Sequence, residues 1–394
     1  ADATMRWFFR FLLVFGALAG VLAVTLAAGL RQGLLALLGV GFGAVLQGAR
    51  FGFTTGWRDM IERRDPQGLW AQMLLMVLAA ALTLPLLAGS GGELVGAVAP
   101  LTISLVLGAF LFGAAMQLAD GCGSGTLYKA GGGSPLSLVV LPTFAFGSFL
   151  GASHQPAWIG LGGLPVVNLL AFGWPTALAL TVAGCGLVAW LAGRAARRAG
   201  GDAPPSPQAI AERLVRTGTA SFVAAAGPAQ SRWATRWWLG ALLLAVLYLA
   251  HLVVAGQPWG IVYGMGVWGA KAVSTLGWDL SGDAFWGVAP HAQRLVEPIL
   301  ADVTSVTNIG LIYGAIAASR WNGAPKFTAP SGRRLAAAAV AGLVMGYSAR
   351  MAFGCNVGAY LGGIASASLH GWVWFALAFA GSILGVRIRR RVGA

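Results

Sequence analysis

The chain has 394 residues, 57% of them hydrophobic and only 10% charged, with a mean hydropathy of +0.75. Soluble domains carry about a quarter charged residues, and disordered chains pair low hydrophobicity with high net charge; both classes are excluded, and an all-α polytopic membrane protein remains. The net charge of +14 would suggest nucleic acid in a soluble chain, but most basic residues lie between or beside apolar runs, where the positive-inside rule puts them, so no nucleic-acid partner is expected.

A spanning helix needs about 20 mostly apolar residues. The first predicted span covers residues 11–29, flanked by Arg6 and Arg10, whose heads can snorkel to the interface. It is long for a cleaved signal peptide, and no clear small-residue cleavage site follows it. A second span covers 34–53, a polar loop covers 58–68, and a third span covers 69–88. The fourth, 98–118, runs into DGCGSGTLYKAGGGSP at 120–135, too Gly-rich to continue as a regular helix. Spans at 136–151 and 172–192 follow, separated by a segment at 153–165 that has no Lys or Arg.

Residues 194–236 change character, with seven Arg and a Pro-rich stretch. They read as a basic cytoplasmic linker between an N-terminal membrane half (1–193) and a C-terminal one (237–394). The second half offers spans at 238–255, 299–318, 335–351 and 372–386. Residues 257–273 are apolar but Gly-broken and carry Lys271, which reads as a short or re-entrant piece. The Arg clusters at 58–68, 194–236, 320–334 and 387–391 fall on one side, which puts both termini in the cytoplasm.

An internal repeat stands out. Gly121-Cys122-Gly123-Ser124-Gly125-Thr126 and Gly354-Cys355-Asn356-Val357-Gly358-Ala359 share one frame, and Gly113 and Gly346 each lie nine residues before the cysteine. Duplicated halves with broken helices meeting near the midplane are a common transporter design. The expected fold is therefore two pseudo-symmetric halves with broken or re-entrant helices around a central path. Irregular backbone in hydrocarbon must be buried in protein or line a cavity, and a half-helix starting at such a break turns free N–H groups toward that cavity. Around the first break, Ser124, Thr126 and Lys129 add donors to the Cys122 thiol. Around the second, Arg350, Cys355 and Asn356 offer the same parts, and Gly354 allows close backbone approach. Arg50 and Arg350 are either snorkelling residues or site cations. Cys185 reads as a packing residue. Asp302 reads as a helix cap or a cavity wall, with the cavity wall slightly favoured. His154, His251, His291 and His370 are scattered without ligand spacing, so neither a metal site nor a cofactor is expected.

At these residues the sequence resembles the YeeE/YedE family of bacterial membrane proteins. The matching stretches are QGARFGFTTGWRD at 47–59, QLADGCGSGTLYKAGGG at 117–133, ADVTSVTNIGLIYGA at 301–315 and YSARMAFGCNVGAYLGGIA at 347–365. The resemblance implies a helical bundle of two related halves in the inner membrane that imports a small sulfur-containing anion, thiosulfate foremost, rather than an enzyme. It also implies a path in which the terminal sulfur of the anion passes between thiols. Cys122 and Cys355 fall on two of the family's cysteine positions; Gly52 occupies the third, where family members read Arg-Phe-Cys-Phe. The substrate-binding set expected on these grounds is Arg50, Gly121, Cys122, Gly123, Ser124, Thr126, Lys129, Arg350, Gly354, Cys355 and Asn356. The resemblance further suggests a small cytoplasmic sulfur carrier protein as partner, with the basic linker as its docking surface. The alternatives are another cargo (sulfite, sulfide or a selenium oxyanion) and a membrane sulfurtransferase that uses a cysteine persulfide activated by Lys129 or Arg350.

Overall fold

A computed structural model describes residues 2–198, 229–321 and 329–392. In chain order the first half contains α1 (Asp2–Ala28), α2 (Leu30–Ala49), α3 (Phe53–Arg63), α4 (Gln67–Gly89), β1 (Pro100–Thr102), α5 (Ile103–Leu118), α6 (Gly123–Gly131), α7 (Pro135–Gly160), β2 (Gly163–Val166) and α8 (Trp174–Arg198). The second half contains α9 (Ala229–Ala255), α10 (Val262–Thr275), α11 (His291–Val296), α12 (Val303–Arg320) and α13 (Gly332–Met351). A π-helical turn, Asn356–Leu361, continues into Gly362–Ala365 (together α14), and α15 (Leu369–Val392) closes the chain. Among the described residues, nine helical segments are long and apolar enough to cross a membrane. The outer surface agrees: Trp7, Phe11, Phe15, Leu18, Leu22 and Leu26 of α1 are all exposed, which in water would be an aggregation site and in a bilayer is the lipid face.

Three helix pairs pack most tightly, α2 with α12, α7 with α13, and α5 with α15. Each pair joins a helix before residue 194 to one after residue 228. Small residues four apart make this possible, since lipid offers no hydrophobic drive and close backbone packing must supply the attraction. Side chains added at Gly39 and Gly43 of α2 would meet the backbone of Thr307, Gly310, Leu311 and Ala315 on α12. On α13, a Cβ at Gly346 would land on the carbonyl of Phe144 in α7. Gly346→Leu is therefore expected to cost well over the 1–3 kcal/mol or so of ordinary overpacking, because backbone cannot give way. It should abolish monodisperse protein on size-exclusion in detergent, whereas Gly20→Ala on α1, with nothing within 4 Å of the added carbon, should leave it intact.

Several sequence expectations change. The loop at 58–68 is mostly helix: Phe53, Trp57 and Met60 recur at helical spacing and form the buried face of α3, and the Trp57 indole donates to Gln72 at 2.8 Å. The Gly-rich segment at 120–135 breaks at 119–122, forms α6 with Gly132 as its C-cap, and breaks again before Ser134 caps the start of α7. The span at 136–151 extends to residue 160, and the segment beyond it forms a two-stranded antiparallel sheet with β1. Asp302 is a helix cap: its carboxylate accepts the Ser305 amide at 2.7 Å at the start of α12. Lys271 ties off the carbonyls of Leu295 and Glu297 at 2.7 and 2.6 Å. The predicted linker at 194–236 lies largely outside the described residues; its first five residues end α8 and 229–236 begin α9.

Candidate functional site

The two Gly-Cys motifs break their helices in the same way. After α5, Asp120 takes a left-handed conformation (φ 58°); after α13, Phe353 takes the same one (φ 58°). The next amide in each case reaches back five residues, Gly121 to the Met116 carbonyl at 3.2 Å and Gly354 to Ala349 at 2.8 Å. Each cysteine is then the N-cap of the following short helix, with φ/ψ of −84°/−166° at Cys122 and −93°/−167° at Cys355. The Cys122 carbonyl accepts from Thr126 at 2.8 Å and the Cys355 carbonyl from Ala359 at 2.9 Å. The first amides of both helices are thus left without a helical partner, and neither cysteine side chain caps them.

The motifs face each other. A methyl group added at Gly123 would sit 3.0 Å from the Cys355 sulfur and 3.4 Å from Ile261, and one at Gly125 would lie 3.6 Å from the Cys122 sulfur. Cys122 Sγ also contacts the Ser124 hydroxyl at 3.4 Å. Cys122, Ser124 and Thr126 are each 1% exposed, and Cys355 and Asn356 are 0% exposed.

In this buried setting an unusual set of polar atoms has no hydrogen-bond partner among the described residues. They are both amide atoms of Asn356, Thr126 Oγ1, Trp259 Nε1 and Asn308 Oδ1. Asn308 spends its other amide atom on the Ile261 carbonyl at 3.0 Å, which fixes it beside the Gly123 gap. Leaving one buried polar atom unpaired costs about 1–3 kcal/mol. Asn356 adjoins Cys355 and Thr126 follows Cys122 by one helical turn, so unpaired polar atoms flank both thiols, as a site shaped for a polar ligand requires.

Cations stand at both ends of this region. Arg389 reaches the Gln117 carbonyl at the end of α5 (2.9 Å), and Arg333 at the start of α13 reaches Arg391 (3.4 Å). The ends of α5 and α15 and the start of α13 therefore share one Arg-rich end, and Arg350, at the close of α13, marks the other. At the Arg-rich end the Asp120 carboxylate binds Arg58 (2.7 Å), Lys129 (3.0 Å) and Arg389 (3.1 Å). At the far end Arg350 donates to Gln155 Oε1, which returns an amide bond to the Arg350 carbonyl, both 2.8 Å. Its guanidinium lies 4.8 Å from the Phe285 ring centroid and 5.8 Å from that of Tyr263. Tyr263 in turn bonds His291 at 2.9 Å. Burial, and next the Arg350 charge, hold the His291 imidazole below its ordinary pKa.

Of the expected residues, the structure brings together Gly121, Cys122, Gly123, Ser124, Thr126, Gly354, Cys355 and Asn356. Lys129 is engaged by Asp120 and Arg350 by Gln155, and among the described contacts neither cation is joined to a thiol. Arg50 is the exposed left-handed cap of α2. At Gly52, an added Cβ would find the hydroxyls of Thr55 and Tyr128 at 3.3 and 3.4 Å, so two hydroxyls border the position and the backbone there is ordinary extended chain (φ −132°). Sequence reasoning missed Trp259, Tyr128, Arg58, Asp120 and Arg389. Cys185 is packed in the apolar core.

Comparison with known proteins carries the same message. A family profile described as sulphur transport matches residues 48–384. The chain is 29% identical over 160 residues to "Probable transporter YedE" of Salmonella typhimurium, covering 39% of each chain; the Escherichia coli protein of the same name matches to the same extent. The aligned region thus spans about two fifths of the length of these YedE relatives. The "Thiosulfate transporter TsuA" of Spirochaeta thermophila is 24% identical over 359 residues, 86% of this chain and 92% of that one. With most of its length matched by that profile, the chain belongs to the sulphur transport family, the YeeE/YedE membrane proteins.

Proposed function

We propose that this protein imports thiosulfate across the inner membrane, by way of the buried space between Cys122 and Cys355, with both termini in the cytoplasm. The observation that carries this reading is the set of unpartnered polar atoms around two facing thiols. Thiosulfate matches that set chemically: its oxygens accept from the Asn356 amide, the Trp259 indole and the free helix amides, and its terminal sulfur accepts a thiol S–H. Sulfate has no soft terminal sulfur to match the thiols, and on this reading the site does not hold it. The name of the Spirochaeta relative supports the choice of cargo. The reciprocal packing of α5 on α15 and of α13 on α7 supports a duplicated, pseudo-symmetric architecture. Anion entry against a negative-inside potential costs about 2.3 kcal/mol per charge per 100 mV. Import therefore needs either consumption of the cargo inside, for which a small cytoplasmic sulfur carrier docked on the basic linker would serve, or an accompanying proton.

The test is uptake of radiolabelled thiosulfate by a bacterium lacking other sulfate and thiosulfate importers. Wild type should take up thiosulfate and not sulfate, and Cys122→Ala and Cys355→Ala should each lose about tenfold or more, the scale of one lost contact to a charged group. Well-expressed wild type that leaves thiosulfate outside would shift the cargo to sulfite, sulfide or a selenium oxyanion. Full transport by both alanine variants would overturn the thiol path.

A further inference from the structure

The Asp120 cluster contains more positive charge than a structural tie requires. One carboxylate from the break after α5 is shared by Arg58 of α3, Lys129 of α6 and Arg389 of α15. The four groups sum to two positive charges, three cations less one anion. Lys129 also donates to the Asp120 carbonyl, and Arg58 and Arg389 both bind Gln117, through its side chain at 3.1 Å and its carbonyl at 2.9 Å. Even so, Arg58 Nη2 is buried and has no partner among the described residues. The next charges outward are Arg334 beside Arg389 and Asp59 beside Arg58; Asp59 also faces Arg63, at 3.9 Å. A latch needs one cation per carboxylate, and each further one adds repulsion that a partly buried setting screens poorly. Surplus cations with a spare buried donor, two residues from Cys122, are stabilised by an incoming anion.

We propose that Arg58, Lys129 and Arg389 form a second anion-binding station at the Arg-rich mouth of the path, with Asp120 as its built-in competitor. The inference rests on the reading that an anion passes between Cys122 and Cys355. The hydrogen bonds described for this station all run from nitrogen to oxygen, so it recognises charge and oxygen, and it takes sulfate as readily as thiosulfate. Selection for sulfur is left to the thiols. Asp120 keeps the station weak, and conduction requires that binding be firm enough to collect an ion and loose enough to release it.

The experiment is calorimetric titration of the purified full-length protein, in detergent at low ionic strength, with sodium sulfate, alongside thiosulfate uptake in reconstituted vesicles. The variants are Asp120→Asn, Arg58→Gln and Asn356→Leu. Removing the competitor should tighten sulfate binding about tenfold and slow thiosulfate uptake; removing Arg58 should weaken sulfate binding about tenfold. A purely structural tie predicts the opposite sign for Asp120→Asn, since a broken tie loosens everything. Asn356→Leu should leave sulfate binding unchanged while uptake falls, which separates the two stations. Unchanged or weaker sulfate binding in folded Asp120→Asn overturns the proposal. Where that variant does not fold, unchanged sulfate binding in Arg58→Gln overturns it, and about tenfold weakening supports it. Sulfate binding is read without any transport, so failure of thiosulfate uptake in wild type would strike the proposed cargo and leave this station to be judged on its own.

Discussion

Replacing Asn356 with Leu is expected to cut thiosulfate uptake about tenfold to a hundredfold and, at the same time, to raise the melting temperature. The two effects have one cause. Asn356 is fully buried and neither of its amide atoms is paired, so the resting protein carries a penalty of about 1–3 kcal/mol for each. A leucine of similar volume removes that penalty, since exchanging an unpaired buried polar group for an apolar one is neutral or stabilising. The same exchange deletes the donor that meets the anion, and a hydrogen bond to a charged group contributes about 1.5–3 kcal/mol, or roughly a tenfold to hundredfold loss in uptake. A residue kept for packing would behave otherwise, losing stability and activity together. Thermal unfolding in detergent and initial rates in vesicles, measured on the same preparation, decide between them; a lower melting temperature would remove Asn356 from the site.

Gly123→Ala is expected to block transport without disturbing the fold. The added methyl would stand 3.0 Å from the Cys355 sulfur and 3.4 Å from an Ile261 methyl. Both neighbours are side-chain atoms, so they can yield by a few tenths of an ångström, and α6 itself gains from exchanging a helical Gly for Ala by about 1 kcal/mol. What the methyl removes is the gap between the two thiols. Uptake should fall about tenfold or more, the scale on which a small misplacement of a contact is felt, while the protein stays monodisperse. Gly125→Ala is the control. Its methyl makes an ordinary 3.6 Å contact with the Cys122 sulfur on the other side of the turn, and it should retain most activity. Equal activity in both variants would mean that the anion does not pass between the cysteines.

The broken helices are legible from composition, because a Gly-Cys-x-x-Gly frame after an apolar run can be neither a regular span nor a surface loop in hydrocarbon. The helix α3 is half legible: Phe53, Trp57 and Met60 carry the spacing, but Arg58, Arg63 and Arg64 mask it as a loop. Only Lys129, nine residues from Asp120, makes the Asp120 cluster locally legible. Arg58 and Arg389 lie 62 and 269 residues away in sequence, and only the packing of α3 and α15 beside the end of α5 makes them neighbours. Asp302 shows a different limit. A carboxylate inside the predicted span at 299–318 suggests a cavity wall, yet the tight turn at Ile299–Ala301 moves the start of α12 to Val303 and turns the same residue into a cap. The π-helical turn after Cys355 has no compositional mark, although it sets where Asn356 points.

The burial of Cys122, Cys355 and Asn356 also bears on the energy economy of the cell. A standing aqueous pore would let protons and salt ions run down the gradients that power the membrane, and its harm would grow with every copy made. Here these three side chains are 1% exposed or less. On the proposed path an anion would therefore pass only with local rearrangement around it. A carrier built so would leak little when idle, and many copies would not discharge the membrane that holds them.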